Sequence, residues 1–170
     1  MEYTIEITSY CPHNCNYCST NASNIDGYYL SLNDIRDFIK KNKISSEDII
    51  NISGGEPLSH PQFYIILEMC KSVTPNVWVY TNAINQIRYN TDIVKEVKVE
   101  TNVCLTPGEN VYIPKNADKV HLLKLIPQGR AKNIEPINVK LSGSDCENCN
   151  HKVLQADGQV VDAPCNKKYD

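Results

Sequence analysis

The sequence has no excess of positive charge and few arginines. Lys and Arg total 17 against 20 Asp and Glu, which gives a formal net charge of -3 and a pI near 5.8. The only arginines are Arg36, Arg88 and Arg130. Proteins that bind nucleic acid without sequence preference need a basic surface, so the composition excludes that class.

Long hydrophobic runs are missing as well. No stretch approaches the roughly 18 consecutive apolar residues of a membrane-spanning helix, and the amino terminus has no basic segment followed by an apolar one. We therefore expect a cytoplasmic protein with no membrane or nucleic-acid partner. With 170 residues, 41% of them hydrophobic, the chain is expected to fold around one main core.

Cysteine is the residue type that stands out. The chain has eight, which is about 5% of its residues and below the roughly 8 to 10% of a disulfide scaffold. Disulfides do not persist in the cytoplasm, where we expect the protein to be. The cysteines are therefore predicted to bind a metal ion or an iron–sulfur cluster.

Hydrophobic periodicity predicts an α/β fold with a parallel sheet. Alternating or continuous apolar runs indicate strands, and apolar stripes at helical spacing indicate two helices between the first three strands. Ser31 and Asp34 form a capping box that starts the first of these helices. The predicted strands are residues 4–8, 48–52, 76–81, 97–103 and 120–126, and the predicted helices are residues 32–41 and 63–70.

A small appendage is predicted at the carboxyl end. Residues 153–161 read as a β-hairpin that turns at Asp157-Gly158, because that dipeptide favours a tight turn between apolar runs. We divide the chain into a core, residues 1–142, and a cysteine-bearing appendage, residues 143–170. We expect the hairpin to fold over the carboxyl ends of the parallel strands, with a substrate between two metal centres.

Three cysteines follow the first predicted strand at the spacing Cys-x3-Cys-x2-Cys. They are Cys11, Cys15 and Cys18, and we call residues 11–18 the cysteine loop. Three thiolates hold three irons of a 4Fe–4S cluster and leave the fourth iron open to another ligand. The alternative is a zinc ion held by the three cysteines with His13.

This pattern resembles the signature of the radical S-adenosylmethionine (radical SAM) enzymes, in which the open iron binds S-adenosylmethionine (SAM). An aromatic residue commonly precedes the third cysteine in these enzymes, as Tyr17 does here. The run Gly54-Gly55-Glu56-Pro57 is similar to the family's GGEP motif, which binds the methionine amino group. The resemblance implies further cofactor contacts from Thr81, Asn82, Ile126 and Arg130, and it implies a truncated, open partial (β/α) barrel.

A second group of cysteines has the spacing Cys-x2-Cys-x15-Cys and brackets the predicted hairpin. Cys146, Cys149 and Cys165 resemble the auxiliary-cluster segments of GTP 3',8-cyclase and of peptide-modifying radical SAM enzymes, which are called twitch and SPASM segments. The resemblance implies a second 4Fe–4S cluster, completed by substrate, Cys104 or His151. A zinc ion is the alternative.

The resemblance implies an enzyme, of oxidoreductase or lyase type, that works under anaerobic conditions. It would cleave SAM reductively to a 5'-deoxyadenosyl radical, which abstracts hydrogen from a peptide or a small heterocycle. The cofactors perform the chemistry, so no side chain is assigned a catalytic role. A flavodoxin-type or ferredoxin-type protein would donate the electron. The alternatives are a glycyl-radical enzyme activase and a non-catalytic zinc-binding interaction module.

Overall fold

The computed structural model of the protein describes residues 1–18, 20–81, 98–105, 119–124, 129–134 and 151–162. These residues form seven strands, two α-helices and two 3₁₀ helices. The elements in chain order are β1 (Glu2–Glu6), α1 (Leu32–Lys41), β2 (Ile49–Ser53), a 3₁₀ helix (Pro57–Ser59), α2 (Phe63–Lys71), β3 (Val77–Tyr80), β4 (Lys98–Leu105), β5 (Lys119–Lys124), a 3₁₀ helix (Gly129–Asn133), β6 (Lys152–Leu154) and β7 (Val160–Asp162).

The described strands form one sheet in the order β5-β4-β3-β2-β1-β6-β7. All neighbouring strands are parallel except β6 and β7, which are antiparallel. The two edges are β5 and β7, so the described sheet is open. The protein therefore has the truncated, open partial (β/α) barrel that the sequence predicts.

The two helices begin and end close to their predicted limits because local signals fix them. The Ser31 hydroxyl accepts from the Asp34 N–H at 3.2 Å, and the Asp34 carboxylate accepts from the Ser31 N–H at 3.2 Å, which confirms the capping box. Each helix buries one apolar stripe, formed by Ile35 and Phe38 in α1 and by Phe63, Ile66, Leu67 and Cys70 in α2. Among the described residues, no helix has the length and apolar character needed to cross a bilayer.

The central strands carry the hydrophobic core. Ile5 of β1 pairs with Ile52 of β2, and Ile50 of β2 pairs with Val77 of β3. All four side chains are buried. Strand β2 buries three successive residues, Ile50, Asn51 and Ile52, as a strand covered on both faces does. This packed centre fixes the carboxyl ends of β1, β2 and β3, from which the candidate site is built.

The predicted hairpin is confirmed, and it extends the main sheet. Strand β6 pairs with β1, with Tyr3 opposite Lys152 and Ile5 opposite Leu154. Strand β7 then returns antiparallel to β6 after a turn in which Gly158 has a φ of +87°. Only glycine adopts such a φ at little cost, which explains the turn at this position.

The direction of β6 determines which part of the hairpin faces the strand ends. Because β6 is parallel to β1, its turn lies at the carboxyl edge of the sheet, as expected. Both ends of the hairpin lie at the opposite edge, where His151 Nε2 is 2.9 Å from Glu2 Oε2 and Asp162 pairs with Lys152. The expected position of the substrate between two metal centres stays a prediction, because Cys146, Cys149 and Cys165 lie outside the described residues.

The predicted division of the chain at residue 142 falls in a segment, residues 135–150, that lies outside the described residues. The boundary therefore stays a prediction. What the described residues establish is that the hairpin shares the sheet of the core, through its pairing with β1.

Candidate active site

The cysteine loop has a base closed by backbone hydrogen bonds. The Cys11 N–H donates to the Ser23 carbonyl at 2.7 Å, and the Cys18 N–H donates to the Cys15 carbonyl at 3.2 Å. The Ala22 N–H donates to Cys18 Sγ at 3.4 Å. Much of the loop's shape is therefore set by its own backbone, before any group binds to the thiols.

The three thiols are close enough for Cys15 and Cys18 to affect the pKa of Cys11. Burial raises the pKa of Cys11 above its ordinary value, and the charges of Glu56, Cys15 and Cys18 raise this pKa further, while a backbone hydrogen bond from His13 opposes them. Cationic irons beside the thiols would reverse this balance and favour the thiolates.

The chemistry of these donors fits an iron–sulfur cluster. Three thiols on one short loop are the donor set that iron–sulfur clusters use, and the thiolates would be the ligands. Within the described residues, no group of three or more His, Cys, Asp and Glu side chains is arranged to hold a single metal ion. The thiols are near enough for their charges to affect Cys11, but they do not surround a single ion.

The two glycines of the GGEP motif let the ends of β1 and β2 touch through their backbones. Gly54 has a φ of +142°, and a Cβ at this residue would lie 2.3 Å from the Thr8 carbonyl oxygen. A Cβ on Gly55 would lie 2.3 Å from the Tyr10 carbonyl oxygen. The Gly55 and Glu56 N–H groups donate to these same two carbonyls, at 2.6 and 2.9 Å. Any side chain would separate this turn from the start of the cysteine loop.

Glu56 is a buried carboxylate held by neighbours on both sides. It is 1% exposed and accepts from the Leu58 N–H at 3.2 Å. Thr81 Oγ1 lies 2.9 and 3.0 Å from the two carboxylate oxygens, and its one proton can go to either. Pro57, also buried, starts the 3₁₀ helix that supplies the Leu58 N–H. Thr81 therefore positions Glu56, while its direct contact with SAM stays a prediction.

Arg130 contacts the backbone of the cysteine loop from a distant part of the chain. Its Nε donates to the Cys15 carbonyl at 2.9 Å, and its Nη1 donates to the Ala22 carbonyl at 2.7 Å. The Arg130 backbone N–H also donates to the Cys18 carbonyl at 3.0 Å. The predicted contact between Arg130 and the cofactor stays a prediction, since the described partners are loop carbonyls.

A cleft of about 200 Å³ opens at the carboxyl edge of the sheet. Its walls come from the end of β1, the glycine turn, the segment after the cysteine loop and the hairpin turn. The lining residues are Glu6, Thr8, Ser9, Thr20, Ala22, Tyr28, Gly54, Gly55, Gln155, Ala156 and Asp157. Pockets for small molecules usually measure about 300 to 1,000 Å³, so the described residues form one part of a site for a cofactor and a substrate.

The cleft contains a pair of carboxyl groups that the sequence interpretation missed. Burial, together with the negative charge of Asp157 in the hairpin turn, raises the pKa of Glu6 to about 7. A usable signal was present, because Glu6 ends β1 on the face opposite to the buried Ile5. No local sequence pattern indicates that Asp157, 151 positions later, lies near Glu6.

Several predicted site residues lie outside the described residues. They are Asn82, Ile126, Cys146, Cys149 and Cys165. Cys104 belongs to β4, where its backbone is in register with Leu123 of β5. The roles assigned to these six residues stay predictions.

Two other residues have the structural roles expected of them. Cys70 is fully buried on α2, and burial raises the pKa of its thiol to about 12, which confirms the interpretation as a core thiol. His60 accepts from the Gln62 N–H through Nδ1 at 3.0 Å, so its Nε2 carries the proton and donates to the Leu30 carbonyl at 3.2 Å. This histidine joins the loop after the cysteines to the GGEP segment.

Comparison with known proteins points to one superfamily. A family model described as "Radical SAM superfamily" matches residues 5–124, which include the cysteine loop, the glycine turn and Thr81. No curated protein matches the chain.

One similar solved structure is described as "Crystal structure of BtrN in complex with AdoMet and 2-DOIA". The TM-score is 0.60 at 14% sequence identity, and the match covers 94% of this chain and 71% of that one. At this identity the similarity establishes a shared fold, and what BtrN binds is a property of BtrN.

The carboxyl pair predicts a pH-dependent cost to the stability of the iron-free protein. The pKa of Glu6 is higher in the folded state than in the unfolded state. Its contribution to the free energy of unfolding is therefore fully present below the unfolded-state pKa near 4.5 and is lost as the pH rises through about 7. Glu6→Gln should therefore raise the free energy of unfolding by about 1 to 2 kcal/mol more at pH 8 than at pH 5.

Urea unfolding at the two pH values would measure this difference. Glu47→Gln, which changes an exposed carboxyl far from the cleft, is the matched control and should respond equally at both. An equal response of Glu6→Gln at pH 5 and pH 8 would contradict the assigned burial of its charge.

The contact between Thr81 and Glu56 predicts a specific loss of SAM affinity. Thr81→Val keeps the shape of the side chain but removes the hydroxyl that donates to Glu56. Loss of a hydrogen bond to a buried carboxylate costs about 1 to 3 kcal/mol, and the carboxylate is then positioned less firmly. We expect weaker SAM binding with unchanged iron content, and Thr81→Ser should restore the affinity. Equilibrium binding to the reconstituted protein checks this, and loss of iron in Thr81→Val would count against the role.

Proposed function

The chain belongs to the radical SAM superfamily, and on this basis we propose that it cleaves SAM reductively to a 5'-deoxyadenosyl radical that abstracts hydrogen from a peptide or small heterocyclic substrate. The observation that carries the proposal is the juxtaposition at one sheet edge of three thiols, the buried Glu56 and the open cleft. Membership of the family implies an enzyme with a 4Fe–4S cluster and SAM.

Each group in the cysteine loop and the glycine turn has a distinct proposed task. Cys11, Cys15 and Cys18 would hold the cluster, which supplies the electron for cleavage of SAM when it is bound. Glu56 would accept the methionine ammonium, since a buried carboxylate is a suitable partner for a cation. The remaining cofactor contacts that we propose are Tyr17, Gly54, Gly55, Pro57, Thr81, Asn82 and Ile126.

The cleft suggests how the chain would guide the radical. Its walls combine polar and apolar groups from four separate segments, and the hairpin turn covers one side. A radical must meet its target carbon within a few ångströms and away from water. We propose that the hairpin turn, residues 155–157, borders the substrate. An external flavodoxin-type or ferredoxin-type protein would supply the electron.

A second 4Fe–4S cluster on Cys146, Cys149 and Cys165 remains part of the proposal. Cys149 comes two residues before His151, and Cys165 comes three residues after Asp162. The resemblance of this cysteine spacing to auxiliary-cluster segments supports the proposal, in which the second cluster would bind substrate or accept an electron.

The first prediction concerns the cysteine loop. Cys11→Ala, Cys15→Ala and Cys18→Ala should each lose the cluster and all release of 5'-deoxyadenosine with dithionite, because a methyl group cannot replace a thiolate ligand. Glu56→Ala should retain its iron and lose SAM affinity. Deoxyadenosine release by any of the three cysteine variants would remove that cysteine from the ligand set.

The second prediction concerns the carboxyl-terminal cysteines. The anaerobically purified protein should contain about eight irons, and Cys146→Ala, Cys149→Ala or Cys165→Ala about four, because a 4Fe–4S cluster is bound as a unit. Cys70→Ala removes a buried thiol outside both groups and should keep all the iron. Stoichiometric zinc with about four irons in the unmodified protein would assign this site to zinc.

The same preparations separate the proposed reaction from its alternative. If the protein is a glycyl-radical enzyme activase, deoxyadenosine release should be accompanied by a radical on a glycine of a partner protein. A modified peptide or small molecule should form instead if our proposal holds. A protein with zinc at both cysteine groups and no iron would match the non-catalytic module.

A further inference from the structure

The 3₁₀ helix Gly129–Asn133 joins the far side of the sheet to the cysteine loop. It follows β5, which is four strands away from β1 in the sheet order. Ala131, in the middle of the helix, is completely buried and anchors it. The buried Ala131 therefore fixes the position of the helix. From this helix, Arg130 contacts Cys15 and Ala22, which lie more than 100 residues earlier in the sequence.

The Arg130 side chain donates to a carbonyl within the cysteine loop and to one just after it. The carbonyl of Cys15 lies within the ligand sequence, and the carbonyl of Ala22 lies just beyond its end. A third contact joins Nη1 to Asn21 Oδ1 at 3.4 Å. A guanidinium has five N–H donors in a rigid planar fork, and Arg130 directs them at the cysteine loop through Cys15 and at the segment just after it through Asn21 and Ala22.

The backbone turns sharply within the cysteine loop and again just after it. Asn14 and Asn21 have φ values of 47° and 55°, the left-handed conformation that asparagine adopts more readily than most residues. Carbonyl groups that bond to a charged donor are held more firmly than those that bond to water. Arg130 therefore holds the backbone at Cys15, between these two turns, and at Ala22, just after the second.

We propose that Arg130 is a positioning residue that holds the cysteine loop in its ligand-binding conformation before iron arrives, and that it is not a ligand of SAM. The inference requires an iron–sulfur cluster on the loop but does not depend on the substrate proposed above. It also has an electrostatic consequence. A fixed cation beside Cys15 favours the added electron of a reduced cluster, so its removal lowers the reduction potential.

Hydrogen exchange of the full-length, iron-free protein tests the proposal without relying on activity. In Arg130→Met the amides of Cys11 and Cys18 should exchange about tenfold faster, which corresponds to the loss of charged hydrogen bonds. Arg130→Lys should show an intermediate effect, because one ammonium cannot reproduce both carbonyl contacts. Lys132→Met, an exposed cation of the same helix, is the matched control and should leave exchange unchanged.

Amides of β1, β2 and β3 report whether each variant is folded and should stay protected in all of them. With the cluster reconstituted, Arg130→Met should release iron to a chelator several-fold faster and have a lower midpoint potential than the Lys132→Met control. Unchanged loop exchange and iron release, together with weakened SAM binding, would overturn the proposal and make Arg130 a cofactor ligand. Unchanged values of all three would overturn it as well.

Discussion

The candidate site depends on a direct contact between two pieces of backbone. The Thr8 carbonyl occupies the position that a side chain on Gly54 would need, and Gly55 and Glu56 donate to the chain that enters the cysteine loop. This contact sets the distance between the thiols and the buried carboxylate. Since α1, α2 and the core of the sheet fix the two strands, the same packing that stabilises the fold also sets the geometry of the site.

Negative charge is concentrated around this contact. Glu56 is buried, Asp157 contributes to the raised pKa of Glu6 across the cleft, and Glu56, Cys15 and Cys18 contribute to the raised pKa of Cys11. Groups of one sign held together destabilise the protein until a cation binds among them. Irons and the positively charged SAM would supply that positive charge, so binding of the cofactors and stability of the fold are linked.

The sequence was most informative where structure is decided locally. The capping box of α1, the strand periodicity and the Asp157-Gly158 turn each depend on neighbouring residues, and all three were predicted correctly. The glycine turn could also be located, because its motif is short and follows a strand. Family resemblance rather than periodicity indicated the function of these residues.

Contacts between distant segments could not be predicted in this way. Arg130 meets Cys15 across 115 positions, and Asp157 comes near Glu6 because the hairpin pairs with β1, a pairing that no local sequence pattern indicates. The pairing of β6 with β1 places the hairpin turn beside the cleft. Burial and charge at these positions depend on topology, which a single sequence leaves open.

The position of β6 also affects how the chain matures during synthesis. Strand β1 lies between β2, which is made early, and β6, which is made about 100 residues later. Until residues 152–154 have left the ribosome, one side of β1 is an unpaired edge that carries the apolar residues Tyr3 and Ile5 next to open backbone groups. Such edges pair with other chains and promote aggregation. The nascent chain is therefore vulnerable to aggregation until the hairpin covers this edge.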